Sequence, residues 1–277
     1  MKFIYSIFTR YKFPLLLIYF YMLVAQLLFL AEPFILGKAI DGLLAKNYIW
    51  LIIFLVVELL HNVFMYRRMV FDTKVYVKIY NDIIFNFLRN NKEIDTSAKI
   101  ARTDMSHSII GFLEGDIHFF IMAIVTVIGS LFFIFMQHAL TGVIVVCSIL
   151  PITIIAILFY KKIAQSTKVG NTHYEQKASI MHSEDEFQID TYFKRRARII
   201  VMQSTLQGRN WASLNVAKTI FLVLSLFIFT SKNIDMTQGE AIAMYAYLNQ
   251  FIIALMSIPI AMETITRIKD VIGRIKS

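Results

Sequence analysis

Glu58 and His61 are the side chains of this 277-residue chain whose type and spacing most directly suggest chemistry. Three residues apart, they share one face of a helix, with Asn62 beside them. Both fall inside the apolar stretch Ile49 to Tyr66. Counted from Ile49 at about 1.5 Å per residue, Glu58 lies about 14 Å into that stretch, near the middle of a hydrocarbon layer about 30 Å thick. Gln26, Asn249 and Gln250 reach similar depths in two other apolar stretches. Ionisable groups in hydrocarbon are costly and default to functional sites, so Glu58 and His61 could carry a proton or hold a cation, with Gln26, Asn249 and Gln250 lining the same cavity. Hydrogen bonds between helices explain all five equally well, and the sequence leaves both readings open. The E-x-x-H spacing occurs once and is not a metal site by itself. No metal or other cofactor is expected.

Other chemistry is harder to find. Gly37 and Gly42 have the spacing of a phosphate-binding loop, but Leu43 and Leu44 follow where Lys and Ser or Thr must stand. No nucleotide site is assigned, no Ser-His-Asp, Cys-His or paired-carboxylate arrangement suggests catalysis, and the chain does not read as an enzyme. His107, His118, His138, His173 and His182 are scattered along loops and span ends and are expected to be solvated or interfacial. The single Cys147 can form no intramolecular disulfide and is expected to be a small buried residue. Glu32, nearer one end of its stretch, is expected to be structural. Lys194 to Arg198 is a basic run of the kind that sets topology and touches anionic lipid.

The elements that must position these groups follow from composition. The chain is 57% hydrophobic and only 17% charged, with mean hydropathy +0.62, which excludes an ordinary cytosolic enzyme. Its net charge of +9 does not indicate nucleic-acid binding, because the charges sit between apolar blocks of spanning length. Those blocks are Phe13 to Leu36, Ile49 to Tyr66, Ile117 to Phe135, Leu140 to Tyr160, Trp211 to Thr230 and Ala241 to Met262. Each must be a helix, since backbone in lipid has no other way to satisfy its polar groups. With both termini cytoplasmic, every Lys and Arg except Lys38, Lys46 and Lys232 lies on a cytoplasmic or cytoplasm-proximal segment, as the positive-inside rule requires. The outer connections are then short, whereas the inner ones, Arg67 to Asp116 and Lys161 to Asn210, are about fifty residues each and too long to be structureless. Met69, Tyr76, Tyr80, Ile83 and Phe87 recur at helical spacing, so the second span is predicted to continue as one helix from Ile49 to Asn90, on the order of 60 Å. Residues 1–12 alternate apolar and basic groups and suit a short helix on the inner leaflet.

The plan resembles the membrane domain of ABC exporters, and local sequence carries the likeness. Glu32-Pro-Phe-Ile-Leu-Gly-Lys-Ala-Ile-Asp-Gly42 is similar to the end of that family's first span. Met236-Thr-Gln-Gly-Glu240 resembles the segment that opens its last one. Pro151 and Pro259 stand where fourth and sixth spans of the family carry proline, and Arg267 to Lys276 resembles the helix leading toward a nucleotide-binding domain. The resemblance implies an all-α membrane protein: six transmembrane helices with long cytoplasmic helical extensions, forming one transmembrane domain over residues 1–277. It also implies a domain-swapped dimer with a second copy or a related half-transporter, in a bacterial inner membrane.

The sequence ends where a fused exporter would continue into its ATPase. The family's ATPase-docking tips are poorly matched by Asn90 to Asp104, which lacks the aromatic pair and the glycine, and by Phe187 to Arg196, which lacks the glycine. Two drives stay open: a proton gradient, as in uptake proteins sharing this membrane fold, or a separately encoded ATPase subunit. The expected function is transport of a small molecule or peptide by alternating access, with membrane lipids and no nucleic acid as further partners. A non-transporting regulatory or immunity protein is the third alternative.

Overall fold

The computed structural model describes residues 9–90, 111–175, 177–182, 184–232 and 235–276. Among the described residues the chain is helical and holds no strand. The elements are α1 (Lys12–Leu44), α2 (Ile49–Asn90), a π-helical turn (Phe112–Asp116), α3 (Ile117–Gln137), α4 (Ala139–Glu175), α5 (Lys177–His182), α6 (Glu186–Lys232) and α7 (Gln238–Lys276). Five of them, α1, α2, α3, α4 and α6, are long and apolar enough to cross a membrane. The sixth expected span, Ala241 to Met262, lies within α7. The proposed inner-leaflet helix over 1–12 falls mostly on residues 1–8, and the first docking tip on 91–104, both outside the described residues.

The long second helix is as predicted, unbroken from Ile49 to Asn90. Its buried stripe differs from the expected one. Among the described side chains of α2, Asp72, Val75, Tyr76 and Ile79 are buried, Tyr80 and Ile83 are half-buried and Met69 is 70% exposed, while Phe87 lies outside the described side chains.

The chain packs as two compact units, residues 1–142 with 226–277, and residues 143–225. In the first, α1 lies against α2 and α7, and α3 packs on α7. The α1–α2 connection is a tight hairpin. Ala45 and Lys46 donate to the carbonyls of Asp41 and Leu43, Lys46 takes the left-handed conformation (φ 58°), and Asn47 Oδ1 accepts from the Ile49 amide at 3.1 Å.

In the second unit, α4 and α6 form an antiparallel pair. His173 stacks on Tyr192 with ring centroids 4.3 Å apart, Arg196 donates to the Gly170 carbonyl at 3.3 Å, and Gln203 donates to the Ser166 carbonyl at 3.1 Å. Residue numbers rise on one helix as they fall on the other, so the long inner segment is a helical stalk. Asp185 starts α6 as a capping residue, its Oδ1 accepting from the amides of Phe187 and Gln188 while Gln188 Nε2 donates to its Oδ2.

Candidate functional site

Four of the five expected polar groups, Gln26, Glu58, His61 and Gln250, lie on or act upon α1. Gln26 is 2% exposed, and its Nε2 donates to Thr126 Oγ1 on α3 at 2.7 Å, while that hydroxyl donates to the Met122 carbonyl at 2.8 Å. Pro33 has no amide hydrogen, so the carbonyl four residues earlier, that of Phe29, loses its helical partner. Gln250 Nε2 on α7 lies 3.5 Å from that oxygen, and Tyr247, stacked on Phe133, donates to the next carbonyl, Leu30, at 2.9 Å. The proline thus exposes backbone acceptors, and α7 supplies donors for them.

On α2, His61 faces the Phe29 ring at 6.0 Å between centroids, and Glu58 acts electrostatically on Glu32 of α1. Glu58 Oε1 is buried without a hydrogen-bond partner, as is Gln250 Oε1. Asn62 is exposed and donates to its own helix, at the Glu58 carbonyl, and Asn249 is half-buried. Gln26, Glu58, His61 and Gln250 therefore meet α1 or extend from it over two turns. Gln26 is the one among them whose amide hydrogen bond reaches a side chain on another helix at short distance.

Two histidines and the cysteine depart from expectation. His118 is 1% exposed and His173 5%, because each packs against tyrosine rings between helices, His118 at the start of α3 on Tyr19 and Tyr76 and His173 stacked on Tyr192. Cys147 is exposed, on the face of α4 opposite the buried Val145, Ser148 and Ile152.

His118 belongs to a second polar cluster that the sequence did not single out. Its ring lies 5.4 Å from Tyr19 and 6.0 Å, edge-on, from Tyr76. Its Nδ1 is 2.5 Å from the Glu114 carbonyl, which can only accept, so Nδ1 carries the hydrogen. Asp72 is 3% exposed, and Arg68 Nε stands 4.0 Å from its Oδ2. Nearer the N-terminus, the Tyr11 hydroxyl donates to Asp82 Oδ2, and Arg10 lies 3.4 Å from the same oxygen. Burial and the Asp82 carboxylate push the Tyr11 phenol up to about 12.

At the opposite end of α1, the two quoted motifs meet. Asp41 Oδ1 accepts from the Gly239 amide at 2.8 Å, and Oδ2 from the Thr237 hydroxyl at 2.7 Å. Thr237 and Glu240 cap each other, Thr237 Oγ1 accepting from the Glu240 amide and Glu240 Oε2 from that of Thr237. The carboxylate of Asp41 thus completes the start of α7, where it also complements the helix dipole. Gly37 and Gly239 let the backbones touch, since a Cβ on Gly37 would meet the Gly239 carbonyl oxygen at 2.6 Å. A cavity of about 70 Å³ beside this clamp has room for ordered water rather than for a peptide.

A family model described as ABC transporter transmembrane region matches residues 4–239, which takes in the α1 motif, both helical stalks and most of the clamp. The chain belongs to this family. No nucleotide-binding domain family matches with it, and no curated protein matches the chain. Within an ABC transporter membrane region, a clamp between the ends of the first and last helices is a structural reason for two separated sequence motifs to occur together. The family and the apolar helices make the chain a component of membrane transport, with several passes through the bilayer.

Proposed function

We propose that the chain is half of a transport pathway: six spans, both termini cytoplasmic, pairing with a second copy in a bacterial inner membrane and moving a small molecule or peptide by alternating access. The observation that carries this reading is the continuous α2, whose 42 residues outrun the hydrocarbon about twofold and supply the rigid arm that rocking about a midplane site requires. Around α1, Gln26, Glu58, His61 and Gln250, with Asn249 nearby, are the groups proposed to line that site.

The proton gradient is proposed as the drive, since the tip residues Phe187 to Arg196 lack the turn glycine of the family's ATPase-docking segments. A separately encoded ATPase is the second reading, favoured by the family itself. Reconstitution separates them. The purified chain in proteoliposomes with an internal pH-sensitive dye is given an inward pH gradient and a mixture of short peptides, without nucleotide. Peptide-dependent acidification supports the proton reading. Its absence, together with transport restored by a co-expressed ATPase and ATP, supports the second. A regulatory protein without transport shows neither, and cysteines at positions 26, 58 and 249 then stay unlabelled by water-soluble thiol reagents.

A further inference from the structure

The cluster around Asp72 and His118 is buried, ionisable and not used by the midplane site. Asp72 is 3% and His118 1% exposed, yet Asp72 Oδ1 and His118 Nε2 are both buried atoms without a hydrogen-bond partner. Both orphans are acceptors. His118 Nδ1 gives its hydrogen to the Glu114 carbonyl, which leaves a lone pair on Nε2, and an ionised Asp72 has no hydrogen to give. Each lacks a donated hydrogen, although the Tyr76 hydroxyl and Arg68 Nε, buried in the same cluster, are donors that also have no partner.

The two groups share their surroundings. Arg68 acts electrostatically on both, and Glu114 acts on Asp72 through its carboxylate while its carbonyl holds His118. Tyr76, one turn from Asp72 and 1% exposed, lies edge-on to His118, and Tyr19 faces His118, Tyr76 and Asp72 from α1. The charged and titratable groups facing the pair among the described residues are therefore Arg68, Tyr76, Tyr19 and Glu114. Arg68 is the only cation of the set, and at 4.0 Å its Nε is beyond hydrogen-bond distance. A buried carboxylate so incompletely compensated is far costlier than the neutral acid. Glu114 is half-buried, and Thr73 Oγ1 lies 3.4 Å from its Oε1, so a carboxylate at the rim adjoins the buried pair.

We propose that Asp72, in the cluster it shares with His118, is a proton-binding site, separate from Glu58 and His61, at the end of the bundle that the charge distribution assigns to the cytoplasm. One proton from the aqueous side adds to a carboxylate oxygen of Asp72. Protonation removes the buried negative charge that Arg68, at 4.0 Å, meets only in part, and Arg68 keeps its charge. The site deepens the transport reading, on which its role in coupling rests.

The test reads the proton directly. The full chain in lipid nanodiscs is followed by infrared difference spectroscopy of the carboxylic-acid C=O stretch between about pH 9 and pH 4. A protonated-carboxyl band that grows on acidification, is lost in Asp72→Asn and persists in Glu58→Gln is expected. Isotope labelling of aspartate in the unsubstituted chain must also shift this band, which keeps the result readable if Asp72→Asn does not fold. A band that ignores aspartate labelling, one that vanishes in Glu58→Gln instead, or no band at all overturns the proposal. The titration needs neither substrate nor partner. A chain that shows the Asp72 band but moves nothing in proteoliposomes defeats the transport reading alone, and transport without the band defeats this site alone.

Discussion

At the scale of single residues, the deciding question is whether a polar group inside the bundle is satisfied by a neighbouring helix. Gln26 is, through Thr126, and Gln250 is in part, through the carbonyl that Pro33 leaves open. Interhelical hydrogen bonds of this kind are worth about 0.6 kcal/mol and at most about 2. Gln26→Leu leaves the Thr126 hydroxyl bound to Met122, so it is expected to lower stability by about 1 kcal/mol in a thermal unfolding assay of the detergent-solubilised chain. Glu58 is different, with a buried oxygen that no protein group meets. Glu58→Gln is expected to cut pH-gradient-driven uptake by about tenfold or more, as loss of a proton carrier does, and unchanged uptake discards the assignment. These residues were legible because a polar letter stands out within an apolar run. Asp72 and His118 were not, because after Arg67 the sequence turns polar, and counting hydrocarbon thickness placed Asp72 in water. Only the packing of α1, α2 and the π-turn buries it, and no local pattern announces a burial made by three separated segments.

Elements show why some of the fold could be read and some could not. The unbroken α2 was readable from periodicity, since a span and its extension share one 3.6-residue repeat without a breaker. The clamp at Asp41 was visible as a motif but not as a contact, because nothing local joins residues 198 apart in sequence. Asp41→Ala removes acceptors from both Thr237 and Gly239 and is expected to cost about 1–2 kcal/mol, the range of a lost helix cap. Gly37→Ala is expected to cost about 1–3 kcal/mol, because its methyl meets backbone that cannot rotate away. Lys46→Gly acts in the opposite direction. It relieves the left-handed conformation at the end of α1 and is expected to stabilise by about 1 kcal/mol in the same thermal assay. At the other end of α1, the folded chain holds the Tyr11 phenol above its ordinary 10.0. Its bond to Asp82 therefore contributes fully below about pH 10 and is lost as pH rises toward 12. An alkaline destabilisation present in the parent and missing in Tyr11→Phe is the expected result.

For the whole molecule, the open side of α2 decides between a chain that stands alone in lipid and one that pairs. Ile52, Leu55, Val56, Leu59 and Val63 are each about half exposed and follow one another at helical spacing, so they form a continuous apolar stripe on a helix whose main neighbour is α1. Lipid covers such a stripe as well as a protein does, so apolarity alone does not select the partner. Shape does: a second copy brings a helix to a fixed register, whereas lipid brings none. In a Cys147→Ser background, single cysteines at Leu55 and Leu59 are expected to form disulfide-linked dimers on mild oxidation in native membranes, while a cysteine at the exposed Leu158 of α4 serves as the reference for random collision. Crosslinking at the two α2 positions well above that reference supports the paired arrangement proposed for transport. Equal yields at all three positions mean that α2 faces lipid, and the half-pathway reading then fails at this scale whatever Glu58 and Asp72 do.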